Sequence, residues 1–308
     1  VISKCDEKPI ALLASYMFNG LRIFSNVEGH VKLTKVLKPF NTSGLLPART
    51  SYLYLYKFLS CSFNTENRLH ALTSHYKYFK NNFPYHSLRL IFSRGLFFWS
   101  ETVENDLYEM RLINAFPYET EGILSCIFSI NGTDIYTVSF TFCEGANFGL
   151  VDNQVIYISR IQGGKESLDA ISKSTKCFSE NAPHVLLMSA IEGMALGLGI
   201  KTIVGISNQN QIGYMSTGSS SFQKNYDDFW KTYESIKIGN GDYMVSLPIQ
   251  YKGLSLKKSK HRNRSINKRK VRQEISRKVY LFFVNNVFSA KKIRFTPMRA
   301  VKEIKATA

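Results

Sequence analysis

Residues 183–214, PHVLLMSAIEGMALGLGIKTIVGISNQNQIGY, read as a helix, a glycine stop, a strand and a polar loop. Leu187, Ile191, Met194, Ala195 and Leu198 recur at helical spacing. Pro183 suits a first helical turn, where a missing N–H costs nothing, and Gly199 suits a left-handed stop. Ile200, Ile203, Val204 and Ile206 form a short β-branched run of the kind covered on both faces of a sheet. Ser207 to Gln211 then places five small polar residues at the strand's carboxyl end, where open α/β sheets hold ligands. Core building accounts for the apolar side chains of this stretch. It does not account for the polar run.

Upstream, Ile123 to Ile130 and Ile135 to Phe142 alternate apolar with Ser, Thr and Cys around Asn131-Gly132. That pair supplies the positive φ a tight hairpin turn requires, so an antiparallel hairpin is expected. Val155 to Ile161 reads as a further strand running into Gln162-Gly163-Gly164-Lys165, and Ser167 to Phe178 as a helix. Leu88 to Trp99 alternates loosely as a first strand, and Leu107 to Phe116 fits a strand or a helix. Downstream, Asn225 to Trp230 is a compact aromatic and acidic cluster, and Tyr243 to Ile249 reads as the last strand.

Residues 1–85 read as mainly helical, with faces at Leu12, Leu13, Tyr16, Met17 and at Tyr52, Leu55, Tyr56, Leu59. Pro39, Gly44 and Pro47 mark a loop between them. His70 and His75, five apart, do not share a helix face well enough for metal binding. The expected organisation is a helical region over 1–85, an α/β core over 86–250 and a basic, partly helical extension over 251–308. The fold class is α+β: a central, mainly antiparallel mixed sheet flanked by helices.

Charge is divided unevenly. Lys252 to Ala308 carries 18 Lys/Arg against two acids, while the preceding 251 residues carry 22 against 21. A polyanionic partner would therefore meet the C-terminal segment. Its cations, beside Phe282, Phe283 and Phe288, suit an anionic membrane surface. Nucleic acid is the weaker partner, because no recognition motif accompanies the cations. Five cysteines, far apart and without a CxxC pair, argue against structural zinc and for a reducing compartment. No apolar run is long enough to cross a bilayer. Ile10 to Tyr16 resembles a short leader core, but Cys5-Asp6-Glu7 precedes it where basic residues belong. Val1 leaves a non-standard start, trimming and leader cleavage all open. The expected location is the cytoplasm, peripheral to the inner membrane, or the periplasm if a leader has been removed.

Gly163 and Gly164, with Gln162 and Lys165, are the candidate anion-binding residues, since exposed glycine amides ahead of a helix suit phosphate. Neither GxxxxGK[ST] nor GxGxxG occurs. Glu192 lies in an otherwise apolar helix and is a candidate acid or base. Asp227-Asp228 reads as a cation site or as a solvated helix start. No nucleophile elbow occurs around Ser207.

The order hairpin, strand, Gly-rich bend, helix, strand ending in Asn is similar to the core of the GNAT acyltransferases. In that family the fourth strand splays from the fifth and acyl-CoA lies between them. The resemblance implies a cofactor site at Gly163 and Gly164, with Asn208 and Tyr214 serving the cofactor and the leaving thiolate. The usual Q/R-x-x-G-x-G/A loop is missing here, and the Asn-to-Tyr spacing is one residue short. Acyl-CoA or an acyl-carrier protein is the implied ligand, and an envelope component or protein the implied acceptor.

At residue level, EGILSCIFSINGTDIYTVSFTF (121–142), VIYISRIQGGK (155–165), the block at 184–213 and NYDDFW (225–230) resemble the enterobacterial VirK/YbjX family. Ala182-Pro183-His184 stands where Arg-Pro-Lys is usual, and Gln211-Ile212 where His-Val is usual. The resemblance implies a virulence-associated accessory protein, linked to surface display or secretion of virulence factors and to resistance against antimicrobial peptides. A secreted client or envelope component is the implied partner, and no catalytic step is implied.

Overall fold

A computed structural model of the protein describes residues 20–115, 120–164, 166–213, 225–251 and 259–287. Leu12, Leu13, Tyr16, Met17, Lys165 and Tyr214 lie outside them.

Past the helical residues 20–24, the described elements begin with helix α1 (Val27–Thr42), a 3-10 segment (Ala48–Leu55), α2 (Thr65–Asn82) and α3 (Tyr85–Phe92). Strands β1 (Leu96–Val103), β2 (Asp106–Asn114), β3 (Leu124–Ile130), β4 (Thr133–Cys143) and β5 (Val155–Gly163) follow. Then come α4 (Leu168–Cys177), α5 (Pro183–Gly197), β6 (Thr202–Gly205), α6 (Tyr226–Lys231), β7 (Ile236–Lys237), β8 (Tyr243–Ser246) and α7 (Ser259–Asn286). The eight strands form one sheet in the order β1-β2-β3-β4-β5-β6-β8-β7. Every ladder is antiparallel except β5–β6. That parallel junction is bridged by α4 and α5, as a parallel pair requires a long crossover. The α+β class and the mainly antiparallel sheet expected from the sequence are present.

Local chemistry explains most boundaries. Asn131 and Gly132 adopt φ of 50° and 79°, so the β3–β4 hairpin turns on the pair that favours positive φ at both positions. Pro183 occupies the first turn of α5, and Gly199, at φ +73°, ends the exit from it. All seven residues of β3 are buried. Because successive side chains point to opposite faces, both faces of the sheet are covered there.

Three sequence expectations are corrected. Leu88 to Trp99 is not one strand: Pro84 starts α3 and β1 begins at Leu96, with Ser87, Leu88 and Ile91 buried on the helix. Pro39 lies inside α1 rather than in a loop. Tyr52, Leu55, Tyr56 and Leu59 do not share a helix face. The 3-10 turn ends at Leu55, leaving Tyr52 and Tyr56 exposed and Leu55 and Leu59 buried. Leu107 to Phe116, open between strand and helix in the sequence, forms the strand β2.

One buried core runs from Leu33 to Val287 and includes side chains from all three sequence segments. His75 is part of it, stacked on Phe142 at 5.6 Å and accepting the Phe142 N–H at Nδ1. Burial pushes its pKa down to about 3, so it is a neutral packing residue. Helix α7 is docked rather than free. Ile275, Val279 and Phe283 form its buried stripe, continued by Val287 just past its end, and Phe283 meets Phe98 of β1 at 5.6 Å. Gly193 lets α5 and α7 approach closely, since a Cβ there would lie 2.2 Å from the Ser276 carbonyl oxygen. Among the described residues, no helix is long and apolar enough to cross a membrane.

Candidate functional site

The parallel β5–β6 ladder is short. It pairs Ile156 with Ile203, Tyr157 with Val204 and Ile158 with Gly205, where β6 ends. β5 continues to Gly163. At the point of separation the β4–β5 register shifts, so that Ser139 faces Arg160 and Phe140 faces Ile158. Ser159 is therefore an extra residue in β5, a bulge of the kind that bends a strand and re-aims its edge. Beyond the bulge, the edge of β5 that β6 has left is met by side chains. Gln211 Nε2 donates to the Ser159 carbonyl at 2.8 Å. The Tyr226 hydroxyl takes both polar groups of one residue, accepting the Ile161 N–H at 3.0 Å and donating to its carbonyl at 3.2 Å.

Neighbouring charges surround this edge. Arg160 Nε lies 3.7 Å from Glu121 and 2.9 Å from Gln162 Oε1. The Ser159 hydroxyl donates to the Glu121 carbonyl. Burial raises the Tyr226 phenol above its ordinary value, Glu121 adds to the rise, and Arg160 opposes it. Tyr226 is therefore a neutral hydroxyl, placed by α6. That helix starts at Asn225, whose side chain accepts the Asp228 N–H at 3.0 Å. Trp230 lies over Gly205, where an added Cβ would come 2.0 Å from the indole, and its Nε1 donates to the Ile206 carbonyl at 2.8 Å.

The polar run after β6 is held from many directions. Asp242, fully buried, accepts the Ser207 N–H and Asn210 Nδ2 at 2.8 Å each on Oδ1. On Oδ2 it accepts Asn240 Nδ2 at 2.9 Å and the Tyr157 hydroxyl at 3.2 Å. Burial raises its pKa, and the Ser207, Asn210 and Asn240 donors oppose the rise. The Asn210 carbonyl accepts the Cys61 N–H at 2.8 Å, tying in the segment after the 3-10 turn. Asn208 accepts the Tyr226 N–H at 2.7 Å, and its own N–H donates to Asp227 at 2.9 Å. Its amide thus fixes α6, and through α6 the hydroxyl on Ile161.

The other predicted residues are spread out. The Gly164 N–H donates to the Ile135 carbonyl at 2.9 Å, so this amide is engaged within the sheet. A Cβ on Gly164 would lie 2.4 Å from Ser167 Oγ, so the bend is filled by its own loop. A Cβ on Gly163 would lie 3.1 Å from both Ile171 and Tyr136. Asp169 stands in the first turn of α4, where an anion would otherwise be favoured. Glu192 faces α7 instead of the β5 edge. Its Oε1 accepts the Ile249 N–H at 2.7 Å, and it bonds with the Ser276 side chain. Burial pushes its pKa up to about 7 against these bonds. Asp228 pairs with Lys231 at 2.7 Å in a helix start, and the described residues hold no cluster of metal-ligating side chains.

Glu121, Arg160, Tyr226 and Asp242 do not stand out as site residues in the sequence, whereas Gln211 falls within the polar run that does. Glu121 and Tyr226 nonetheless open EGILSC and fall within NYDDFW, two of the blocks that carry the family resemblance. Among the described residues, the fold and this edge define an α+β protein with one parallel junction, which ends at a bulge. The chain belongs to DUF535, a family of proteins of unknown function whose model matches residues 23–275. That family includes the VirK/YbjX proteins. No curated protein and no solved structure matches the chain.

Proposed function

We propose that the protein binds a pantetheine-linked acyl group along the edge of β5 and handles it in a GNAT-like manner on behalf of an envelope component or protein. One observation carries this reading. The parallel pair ends at the bulge at Ser159, and the next backbone groups on that edge, those of Ile161, are held by a side-chain hydroxyl rather than by a strand. An extended ligand with amide groups can take that place as an added strand does, with Tyr226 swinging aside. Tyr226 and Gln211 would line the arm, and Glu121 and Arg160 are the charged groups at hand. A bound acyl thioester supplies an activated acyl carbon. The adenosine diphosphate half of coenzyme A fits less well, because the Gly164 amide is spent on Ile135 and Asp169 heads α4.

Calorimetric titration of octanoyl-pantetheine into the protein and into Tyr226→Phe tests this. Removing the hydroxyl frees Ile161, so binding is expected to be saturable and up to about tenfold tighter in the variant, the worth of about one hydrogen bond. Absence of saturable binding to both proteins would remove the reading.

A second reading is favoured by the engagement of Asn208 and Asp242 in structural bonds. In it the protein is a VirK-type accessory for surface display and antimicrobial-peptide resistance, without chemistry of its own. It predicts that Tyr226→Phe leaves display of the virulence factor unchanged, whereas the acyl reading predicts a changed level.

A further inference from the structure

Resting on the acyl-binding reading, we infer that the acyl group arrives on a small acidic carrier protein, which docks on the basic N-terminal half of α7. Two independent features point there. At the bend after β5 the Gly164 N–H is donated to Ile135, Ser167 fills the space beside it and Asp169 stands in the first turn of α4, all of which disfavour a pyrophosphate there. The ligand's specificity must then come from something beyond the arm. Helix α7 brings Arg262, Arg264, Lys268, Arg269, Lys270 and Arg272 into three turns of helix, with no acid among positions 262–273.

Position matters as much as charge. Asn181, just before α5, accepts Arg272 Nε at 2.6 Å and donates to the Lys268 carbonyl at 3.2 Å. Glu180 pairs with Arg264, and with Lys268 at 3.3 Å. Three residues after Asn181, His184 meets the rings of Tyr136 at 5.5 Å and Phe229 at 5.6 Å. Tyr136 pairs with Gly163 in the β4–β5 ladder, and Phe229 belongs to the helix that carries Tyr226. The basic half of α7, the start of α5 and the far end of β5 therefore form one corner of the molecule. Glu180 pairs with two of these cations, Arg269 and Arg272 lie over the Tyr251 ring, and Arg262 and Lys270 are exposed. A partner with an acidic face would meet the cations while its acyl arm enters beside Ile161. Charge complementarity of this kind acts mainly on association rate and is strongly salt-dependent.

The test compares octanoyl-loaded acidic carrier protein, octanoyl-CoA and octanoyl-pantetheine on the full chain and on Arg262→Glu/Lys270→Glu. The inference expects the loaded carrier to bind tightest, with affinity falling about tenfold or more between about 50 mM and about 300 mM salt. The double charge reversal should weaken the carrier by about tenfold or more and leave octanoyl-pantetheine unchanged. Binding of octanoyl-CoA well above octanoyl-pantetheine, with no gain from the carrier, would overturn the inference and leave the acyl reading standing. So would a carrier affinity that ignores the charge reversal. Displacement of the carrier by anionic vesicles or duplex DNA at equal charge would assign the helix to a different polyanion. Failure of all three ligands would remove the acyl reading and this inference with it.

Discussion

Glu192→Gln isolates the one carboxyl that is buried between α5, α7 and the strand exit at Ile249. Glutamine keeps the shape, an oxygen for the Ile249 N–H and a donor for Ser276, but cannot ionise. In the native protein the Glu192 carboxyl lies at about 7 against an ordinary 4.5. The folded state thus holds this proton more tightly than the unfolded chain. The stabilisation is complete below the ordinary value and is lost as pH rises through about 7. Moving a carboxyl that far corresponds to about 3 kcal/mol at ~1.36 kcal/mol per pH unit. Part of the loss is already incurred at pH 5, so the gap between variant and native protein should widen by about 2 to 3 kcal/mol from about pH 5 to about pH 8, in favour of glutamine. Urea unfolding at several pH values measures it. Other titrating groups, such as His75, act equally in both proteins and cancel in the difference. A gap that stays constant with pH, or a glutamine variant that is less stable at about pH 8, would refute the reasoning.

Asp242→Ala leaves four donors without their acceptor, among them the Ser207 N–H and the Tyr157 hydroxyl. At about 1–3 kcal/mol for each buried orphan, a loss of roughly 4 kcal/mol or more is expected by urea unfolding. That is a large share of the ~5–15 kcal/mol that holds a domain together, and a loss below about 1 kcal/mol would contradict the network. Gly193→Ala should also destabilise, by about 1–3 kcal/mol, although alanine is the better helix former by about 1 kcal/mol. The new methyl meets backbone of α7 at 2.2 Å, and a rise in melting temperature would show that the two helices are not so closely packed.

Local chemistry makes several elements legible in the sequence. Asn131-Gly132 announces its hairpin because few residue pairs accept positive φ twice in succession. Pro183 and Gly199 bracket α5 for similarly local reasons. The misreadings are local too. Helix α3 spans only Tyr85–Phe92 and passes into β1 after three residues, too short for a 3.6-residue period to stand out. Pro39, which reads as a loop marker, falls in the last turns of α1, where a proline forfeits one backbone bond without ending the helix. The C-terminal cations are legible, but not the buried stripe that docks α7, because Val279 and Phe283 look alike facing a core or a membrane.

The site is legible only as a place. Ser207 to Gln211 stand out by composition, yet their partners lie far along the chain: Cys61 for Asn210, Ser159 for Gln211 and Asp242 for Ser207. A polar run with distant partners looks identical to one awaiting a ligand. The same holds for Tyr226, a residue within a short acidic cluster until the fold lays its hydroxyl across Ile161. Glu192 stands out for a sound physical reason, a carboxyl in an apolar helix. The structure assigns that carboxyl to the α5–α7 contact.

The most direct measurement is the backbone amide resonance of Ile161 during titration with octanoyl-pantetheine, followed beside that of Gly164 in the native protein and in Tyr226→Phe. The account predicts a saturable shift at Ile161 in both proteins, reached at lower ligand concentration in the variant. Gly164, committed to Ile135, should barely move. A titration that leaves Ile161 unmoved in both proteins, or that shifts Gly164 alone, would contradict the assignment of the β5 edge as the ligand site.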